Sequence, residues 1–375
     1  MATNTPYDFF VQWHLTERCN LSCKHCYQVE RHPDELSLTE IRDGLDEMSD
    51  MLKAWEAECG VALTRSINVT GGEPFLRRDV FEILEEIKKK RFSVYLLTNG
   101  TLISRERAKK LAELGVDGVQ VSIEGLEDVH NDIRGSGTFG ASEAGIERLV
   151  DYGVPVTLNV TLSTLNADQA KGVIAFGSHI GARRIGFSRL APYGRGSSLA
   201  SHILTAEQVK ALYESLLSIA VEGLEIVTGD PLASQMKLPA RGVGGNIAVS
   251  GCAAGVSGLT ILPDGAVTPC RRMPIVIGNI RRDSLREIWA TSPVLEALRD
   301  RKRYTGACRT CSRWAHCRGC RAIAYAHSRS RGENDFLAGD PQCFLRTASR
   351  WSSAQNGLKR IFSTKKNRHE QSIAS

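Results

Sequence analysis

Between residues 9 and 230 short apolar runs alternate with amphipathic stretches of helical period, the pattern of βα units around a parallel sheet. Phe9 to Leu15 reads as a buried strand, and Ser37-Leu-Thr-Glu40 is a capping box opening a helix towards Cys59. Ser66 to Thr70 is the second strand, followed by Gly71-Gly72-Glu73-Pro74 and a helix from Asp79 to Lys90. Ser93 to Thr98 is the third, and Ser104 caps a helix to Leu114. Gly118 to Ile123 is the fourth, with a helix around Ser142 to Tyr152. Val156 to Val160 is the fifth, Asn166 caps the next helix, and Arg184 to Phe187 is the sixth. Six such units predict an α/β fold, either an open, partial (β/α)6 TIM-like barrel or a doubly wound sheet, and periodicity leaves both open. In either one, function belongs at the carboxyl ends of the strands.

Composition narrows the class. The 375 residues, 42% apolar and 24% charged, can bury one large core and a smaller satellite. The opening MATNTPYDFF lacks a charged n-region and apolar h-region, so the eleven cysteines are expected in a reducing cytoplasm, as thiols free to act as ligands. No apolar segment approaches bilayer length, which predicts no membrane span. The net charge of +6 does not point to nucleic acid. Residues 346–375 hold seven Lys and Arg against one acid, so this basic tail carries the whole excess. Its Ser-, Asn- and Lys-rich sequence predicts a mostly disordered end.

Chemistry concentrates in Cys19-Asn-Leu-Ser-Cys23-Lys-His-Cys26, directly after the first strand. Three thiolates at offsets of four and three can share one metal centre and leave a fourth position open to substrate, whereas a structural zinc knuckle uses paired CxxC and closes the tetrahedron. With Tyr27 behind it, this CxxxCxxC resembles the cluster loop of the radical S-adenosylmethionine (SAM) superfamily. The resemblance implies that Cys19, Cys23 and Cys26 hold a [4Fe-4S] cluster whose remaining iron chelates SAM, cleaved to methionine and a 5′-deoxyadenosyl radical. His25 matches the position near the adenine. The resemblance also favours the partial barrel.

Further motifs sit at the expected strand ends. Gly71-Gly72-Glu73-Pro74 resembles the family's GGEP, whose glycines allow close approach to the ligand and which receives the methionine ammonium. Thr98-Asn99-Gly100 resembles its TNG, and Asn99 is also ordinary turn material. Ser122-Ile-Glu124-Gly125 with His130-Asn-Asp-Ile-Arg134-Gly135 resembles a stretch of the peptide-modifying branch. By that likeness Ser122 and Arg134 hold the SAM carboxylate, for which a planar guanidinium fork is suited. Glu124 stands where Asp is usual. Asn159 is a candidate for the ribose or for sheet packing. Leu190 in Leu190-Ala-Pro-Tyr-Gly-Arg-Gly196 would touch adenine, with Arg195 read as a surface residue.

Seven more cysteines follow. Cys252 and Cys270 flank the turn Leu262-Pro263-Asp264-Gly265 between two short strands; Cys308-x2-Cys311-x5-Cys317-x2-Cys320 and a single Cys343 come after. CxxC pairs alone allow a zinc ribbon. The whole pattern resembles the SPASM domain, a module with two auxiliary [4Fe-4S] clusters. The likeness implies that Cys308, Cys311, Cys317 and Cys343 close a distal cluster, and that Cys252, Cys270 and Cys320 hold a proximal one with an open iron. Cys59 fits neither set and is expected to be a structural thiol. The expected organisation is a barrel over residues 8–230, a Cys-rich domain with a hairpin and short helices over 231–345, and the tail over 346–375.

These readings predict an enzyme that oxidatively modifies a ribosomally made peptide. A radical modification of a tetrapyrrole is the alternative. A non-catalytic electron-transfer protein is a third reading, against which the SAM motifs stand. Expected partners are a peptide or small-molecule substrate, a low-potential donor such as flavodoxin or ferredoxin, and a separate leader-peptide-binding protein, since too few residues precede the triad for a winged-helix recognition domain.

Overall fold

The computed structural model describes residues 7–29, 34–237 and 248–345. Seven strands, β1 (Tyr7–His14), β2 (Leu63–Thr70), β3 (Ser93–Thr98), β4 (Gly118–Ser122), β5 (Val156–Leu162), β6 (Arg184–Arg189) and β7 (Glu225–Val227), lie parallel and in chain order. A doubly wound sheet reverses its order part-way, so this sequential order selects the partial barrel.

The strands alternate more strictly than their apolar look suggested. Val11, Trp13, Ile67, Val69, Val94, Leu96, Val119, Val121, Leu158 and Val160 are buried in the main core. Their neighbours Gln12, Asn68, Gln120 and Thr157 turn the other way and line the lumen. A closed TIM barrel fills its interior with branched apolar side chains; here the interior is open, and amide and hydroxyl side chains share its wall with apolar ones.

The helices cover the outer face. Helix α1 (Leu38–Cys59) has the expected capping box: Glu40 N–H donates to Ser37 Oγ at 3.3 Å, and Ser37 N–H donates to Glu40 Oε2 at 2.7 Å. α2 (Val80–Lys89), α3 (Arg105–Glu113, capped by Ser104), α4 (Glu127–Arg134), α5 (Thr138–Asp151), α6 (Ala170–His179) and α7 (Ala206–Leu217) follow. Three features depart from expectation. The stretch holding His130 and Arg134 is itself a helix, α4, and β7 adds a seventh short strand. Asn166 does not cap a helix through its side chain. Its Nδ2 donates to the carbonyls of Glu124 (2.8 Å) and Thr161 (3.0 Å), fixing the ends of β4 and β5 together, while its Oδ1, the atom a cap would use, accepts from Ser163 N–H at 2.8 Å.

The cysteine-rich region joins the same sheet. β8 (Gly258–Ile261) pairs parallel with β1, and β9 (Ala266–Thr268) returns antiparallel across the expected turn. β10 (Gly278–Asn279) closes a ten-stranded order β10-β9-β8-β1-β2-β3-β4-β5-β6-β7. A smaller core around Met273, Leu295, Leu298, Trp314 and Ile323 supports this end. The tail over 346–375 lies outside the described residues.

Candidate active site

The triad loop is clamped to the strand ends by backbone hydrogen bonds. Gly72 N–H donates to Thr16 O and Glu73 N–H to Arg18 O, both at 2.8 Å, while Gly196 N–H donates to Cys26 O at 2.9 Å. The approach explains both glycines: a Cβ on Gly71 would stand 2.5 Å from Thr16 O, and one on Gly72 2.2 Å from Arg18 O. The close neighbour is thus the triad loop's own backbone, not only a ligand.

A cleft of about 930 Å³ opens above the strand ends. Cys19, Cys23, Cys26, His25, Gly71, Gly72, Asn99, Ser122, Arg134, Asn159 and Leu190 all line it, as the sequence motifs implied. Glu73, Pro74 and Glu124 do not. Glu73 is fully buried and accepts hydrogen bonds from the Thr98 hydroxyl (2.8 Å) and the Asn99 N–H (2.9 Å). Burial pushes its pKa up, against those hydrogen bonds. It ties β2 to β3 from behind. Asn99 in turn donates to Asn20 Oδ1 at 2.9 Å, linking this turn to the triad loop.

Glu124 is equally enclosed. Its Oε1 lies 3.0 Å from His25 Nε2 and 2.6 Å from Arg134 Nη2, and its Oε2 accepts from Thr161 N–H at 2.7 Å. Burial alone would raise its pKa, but the charges of His25 and Arg134 outweigh that and hold it far below the carboxylate range. The carboxylate is therefore an ionised anchor that aims His25 and Arg134, with no face left in the cleft for substrate or proton removal. Behind it His130 is held neutral, its pKa lowered to about 4 by burial and by Arg134. Arg134 spends Nε and Nη2 on Glu124 and directs Nη1 towards Cys23 Sγ at 3.8 Å.

Sequence reasoning missed the far wall. Arg195, read as a surface residue, donates to Cys23 O at 3.3 Å and lines the cleft. Tyr27, Arg271 and Arg272 line it too. The available signal was the pair of arginines directly behind Cys270.

The remaining ligand candidates separate into two places. Cys252, Cys270 and Cys320 line the barrel lumen, a cavity of about 1800 Å³ of open space that shares Leu97, Gln120, Arg271 and Arg272 with the cleft. Cys308, Cys311, Cys317 and Cys343 line a small apolar cavity with Leu232 and Trp314. Cys59 is exposed at the end of α1 and belongs to neither.

Both sets are chemically suited to iron–sulfur clusters. Gln235 Nε2 and Gly319 N–H donate to Cys317 Sγ at 3.1 and 3.3 Å, and Leu21 and Gln28 N–H reach Cys19 and Cys26 Sγ at 3.5 Å, as a bound thiolate requires. Burial pushes the Cys317 thiol up to about 12, so only a bound metal makes it a thiolate at neutral pH. Buried Arg321 leaves Nε and Nη2 unpartnered near Cys252 and Cys308, and Arg272 leaves Nε unpartnered near Cys270 and Cys320. Such cations call for an anion nearby. Among the described residues no three His, Cys, Asp or Glu side chains converge on one ion; a four-iron cluster asks less convergence, since each thiolate meets its own iron.

Comparison with known proteins agrees with this geometry. The radical SAM superfamily profile matches residues 13–176, and the SPASM iron–sulfur cluster-binding domain matches residues 252–312. The chain is 30% identical over 360 residues to an AdoMet-dependent heme synthase of Methanosarcina barkeri, covering 92% of this chain and 98% of that one. It is 32% identical over 329 residues to the mycofactocin maturase MftC of Mycolicibacterium smegmatis, covering 84% and 78%. Streptococcus suis SuiB bound to S-adenosylmethionine superposes with a TM-score of 0.70 at 16% identity, over 90% of this chain and 77% of that one. No helix among the described residues is long and apolar enough to cross a membrane.

Proposed function

Because the chain belongs to the radical SAM superfamily and carries a SPASM region, we propose that this enzyme uses SAM to oxidise a ribosomally synthesised peptide. The observation behind the peptide is the lumen wall. Gln12, Asn68 and Gln120 line the space between the triad cleft and Cys252, Cys270 and Cys320. Side-chain amides match the donors and acceptors of a peptide backbone, whereas the apolar face of a macrocycle, its carboxylates apart, would leave those it covers unpaired at a cost of about 1–3 kcal/mol each.

In this reading the thiolates of Cys19, Cys23 and Cys26 hold the SAM-binding cluster. Arg134 and Ser122 orient the SAM carboxylate, Gly71 and Gly72 shape the ammonium pocket with Glu73 and Pro74 bracing it from behind, Asn159 approaches the ribose, and Leu190 with His25 walls the adenine. Held there, such a cluster would supply the one electron for cleavage of SAM to methionine and a 5′-deoxyadenosyl radical. Cys252, Cys270 and Cys320 hold a proximal auxiliary cluster, and Cys308, Cys311, Cys317 and Cys343 a distal one, giving the surplus electron of the oxidation a way out. Flavodoxin or ferredoxin supplies the first electron, and a separate leader-binding protein presents the peptide.

The likeness to the AdoMet-dependent heme synthase along nearly its full length favours a second reading, oxidation of a tetrapyrrole side chain. One assay separates them. The anaerobically reconstituted protein is given SAM, dithionite and either the small peptides encoded beside its gene or coproporphyrin. Loss of two hydrogens from a peptide, matched by 5′-deoxyadenosine, supports the proposal; modification of the porphyrin alone replaces it.

A further inference from the structure

We propose that Arg271 is the docking point for a carboxylate of the substrate. The inference deepens the reading above and rests on it only in bringing the substrate to this cleft.

Arg271 stands where three spaces meet: the triad cleft, the barrel lumen and an outer groove lined by His14, Tyr193 and Val276. The cleft wall carries four arginines and no Asp or Glu. Three of the four are already engaged, Arg134 also with the SAM carboxylate assigned to it above. Arg134 is forked on Glu124, Arg195 donates to Cys23 O, and Arg272 donates to Arg189 O at 3.1 Å with its other arm 3.8 Å from Cys320 Sγ. Arg271 has no hydrogen bond or ion pair among the described residues. Its guanidinium lies over the Tyr27 ring, 5.5 Å from the centroid.

That stacking matters for what the cation can bind. The contact is with an aromatic ring and uses no N–H hydrogen bond, so the N–H groups can meet a carboxylate through two parallel hydrogen bonds. The platform is packed from the side, since Tyr27 is half-buried and its ring meets that of His14 edge-on at 6.1 Å. A cation held in place before binding loses little freedom on pairing. Arg271 directly follows Cys270, so a carboxylate docked on it presents the adjoining part of the substrate to both the triad cleft and the proximal cysteines. A peptide C-terminus, an acidic peptide side chain and a tetrapyrrole propionate all carry this chemistry.

The test is equilibrium binding to the full-length, reconstituted protein with SAM present, using three acid and neutral pairs: acetyl-Gly-Ala-Gly with a free or amidated C-terminus, amidated acetyl-Gly-Glu-Gly or its Gln twin, and coproporphyrin or its methyl ester. At least one acid should bind roughly tenfold tighter than its twin, and the pair that does identifies the source. Arg271→Gln should erase that preference, and Arg271→Lys, which keeps the charge without the fork, should retain part of it at unchanged iron content. No preference in any pair, or one that survives Arg271→Gln, overturns the proposal. So does a tenfold loss of SAM affinity in Arg271→Gln, which would assign this arginine to the SAM carboxylate. Formation of 5′-deoxyadenosine by the unaltered protein is read separately and reports on the proposed reaction whatever the binding result.

Discussion

Two cysteine sites in this chain use the same ligand in opposite surroundings. The triad offers three thiols on a loop, with Cys19 exposed, beneath a cleft walled by arginines and side-chain amides. The distal set offers four thiols in a small apolar cavity, with Cys317 buried and Leu232 and Trp314 in the wall. A fourth thiolate and a dry wall leave no room for a ligand and suit an electron store; three thiolates and a wet, cationic wall suit one that binds substrate. Cys252, Cys270 and Cys320 combine three thiols with an open lumen and stand between the two.

The largest effect should come from removing the open site. Replacing Cys19, Cys23 and Cys26 with alanine should reduce 5′-deoxyadenosine formation below detection while about two thirds of the iron remains, and retention of SAM cleavage would break the comparison. At the closed site, Cys317→Ser should remove about four irons yet leave reductive SAM cleavage, so metal analysis and a single-turnover assay together sharpen the contrast.

A smaller effect is expected in the layer behind the triad. Arg134→Lys loses the fork on Glu124, a charge-assisted contact of about 1.5–3 kcal/mol, and SAM affinity should fall roughly tenfold at unchanged iron content. Normal affinity by equilibrium dialysis would show that Arg134 does not orient SAM. The mildest effect is on pH. His130 has a folded pKa of about 4 against an ordinary value near 6.5, so its contribution is complete above 6.5 and is lost as pH falls towards 4. At about 1.4 kcal/mol per unit this is at most about 3.5 kcal/mol, and His130→Gln should flatten that limb of the unfolding midpoint plotted against pH. An unchanged slope would mean that His130 is solvated.

How legible was this in the sequence? The barrel strands were, because each packs one face on helices and leaves a period the eye can follow, and Gln12, Asn68 and Gln120 already broke the apolar runs where the lumen lies. The cysteines were legible because their spacing is local. What stayed hidden depends on distant partners. The parallel pairing of β8 with β1 joins residues some 250 apart and has no local signature. Glu124 reads only as a Glu in place of the usual Asp until His25, Arg134 and Thr161 are seen to occupy it. Asn166 had good cap chemistry locally, but its Oδ1 is taken by Ser163 N–H and its Nδ2 by two buried carbonyls. Arg195 carries the sequence look of a surface residue, and only the fold brings it to Cys23.

The most direct test of the contrast between open and closed sites is a SAM titration of the dithionite-reduced, reconstituted protein followed by electron paramagnetic resonance. One cluster signal should shift on SAM binding, the same signal that is missing when Cys19, Cys23 and Cys26 are replaced, while the signals that depend on Cys317 and Cys320 stay unmoved. A spectrum in which SAM shifts no signal, or shifts one that survives loss of the triad, would contradict the assignment of the cleft above β1 as the SAM site.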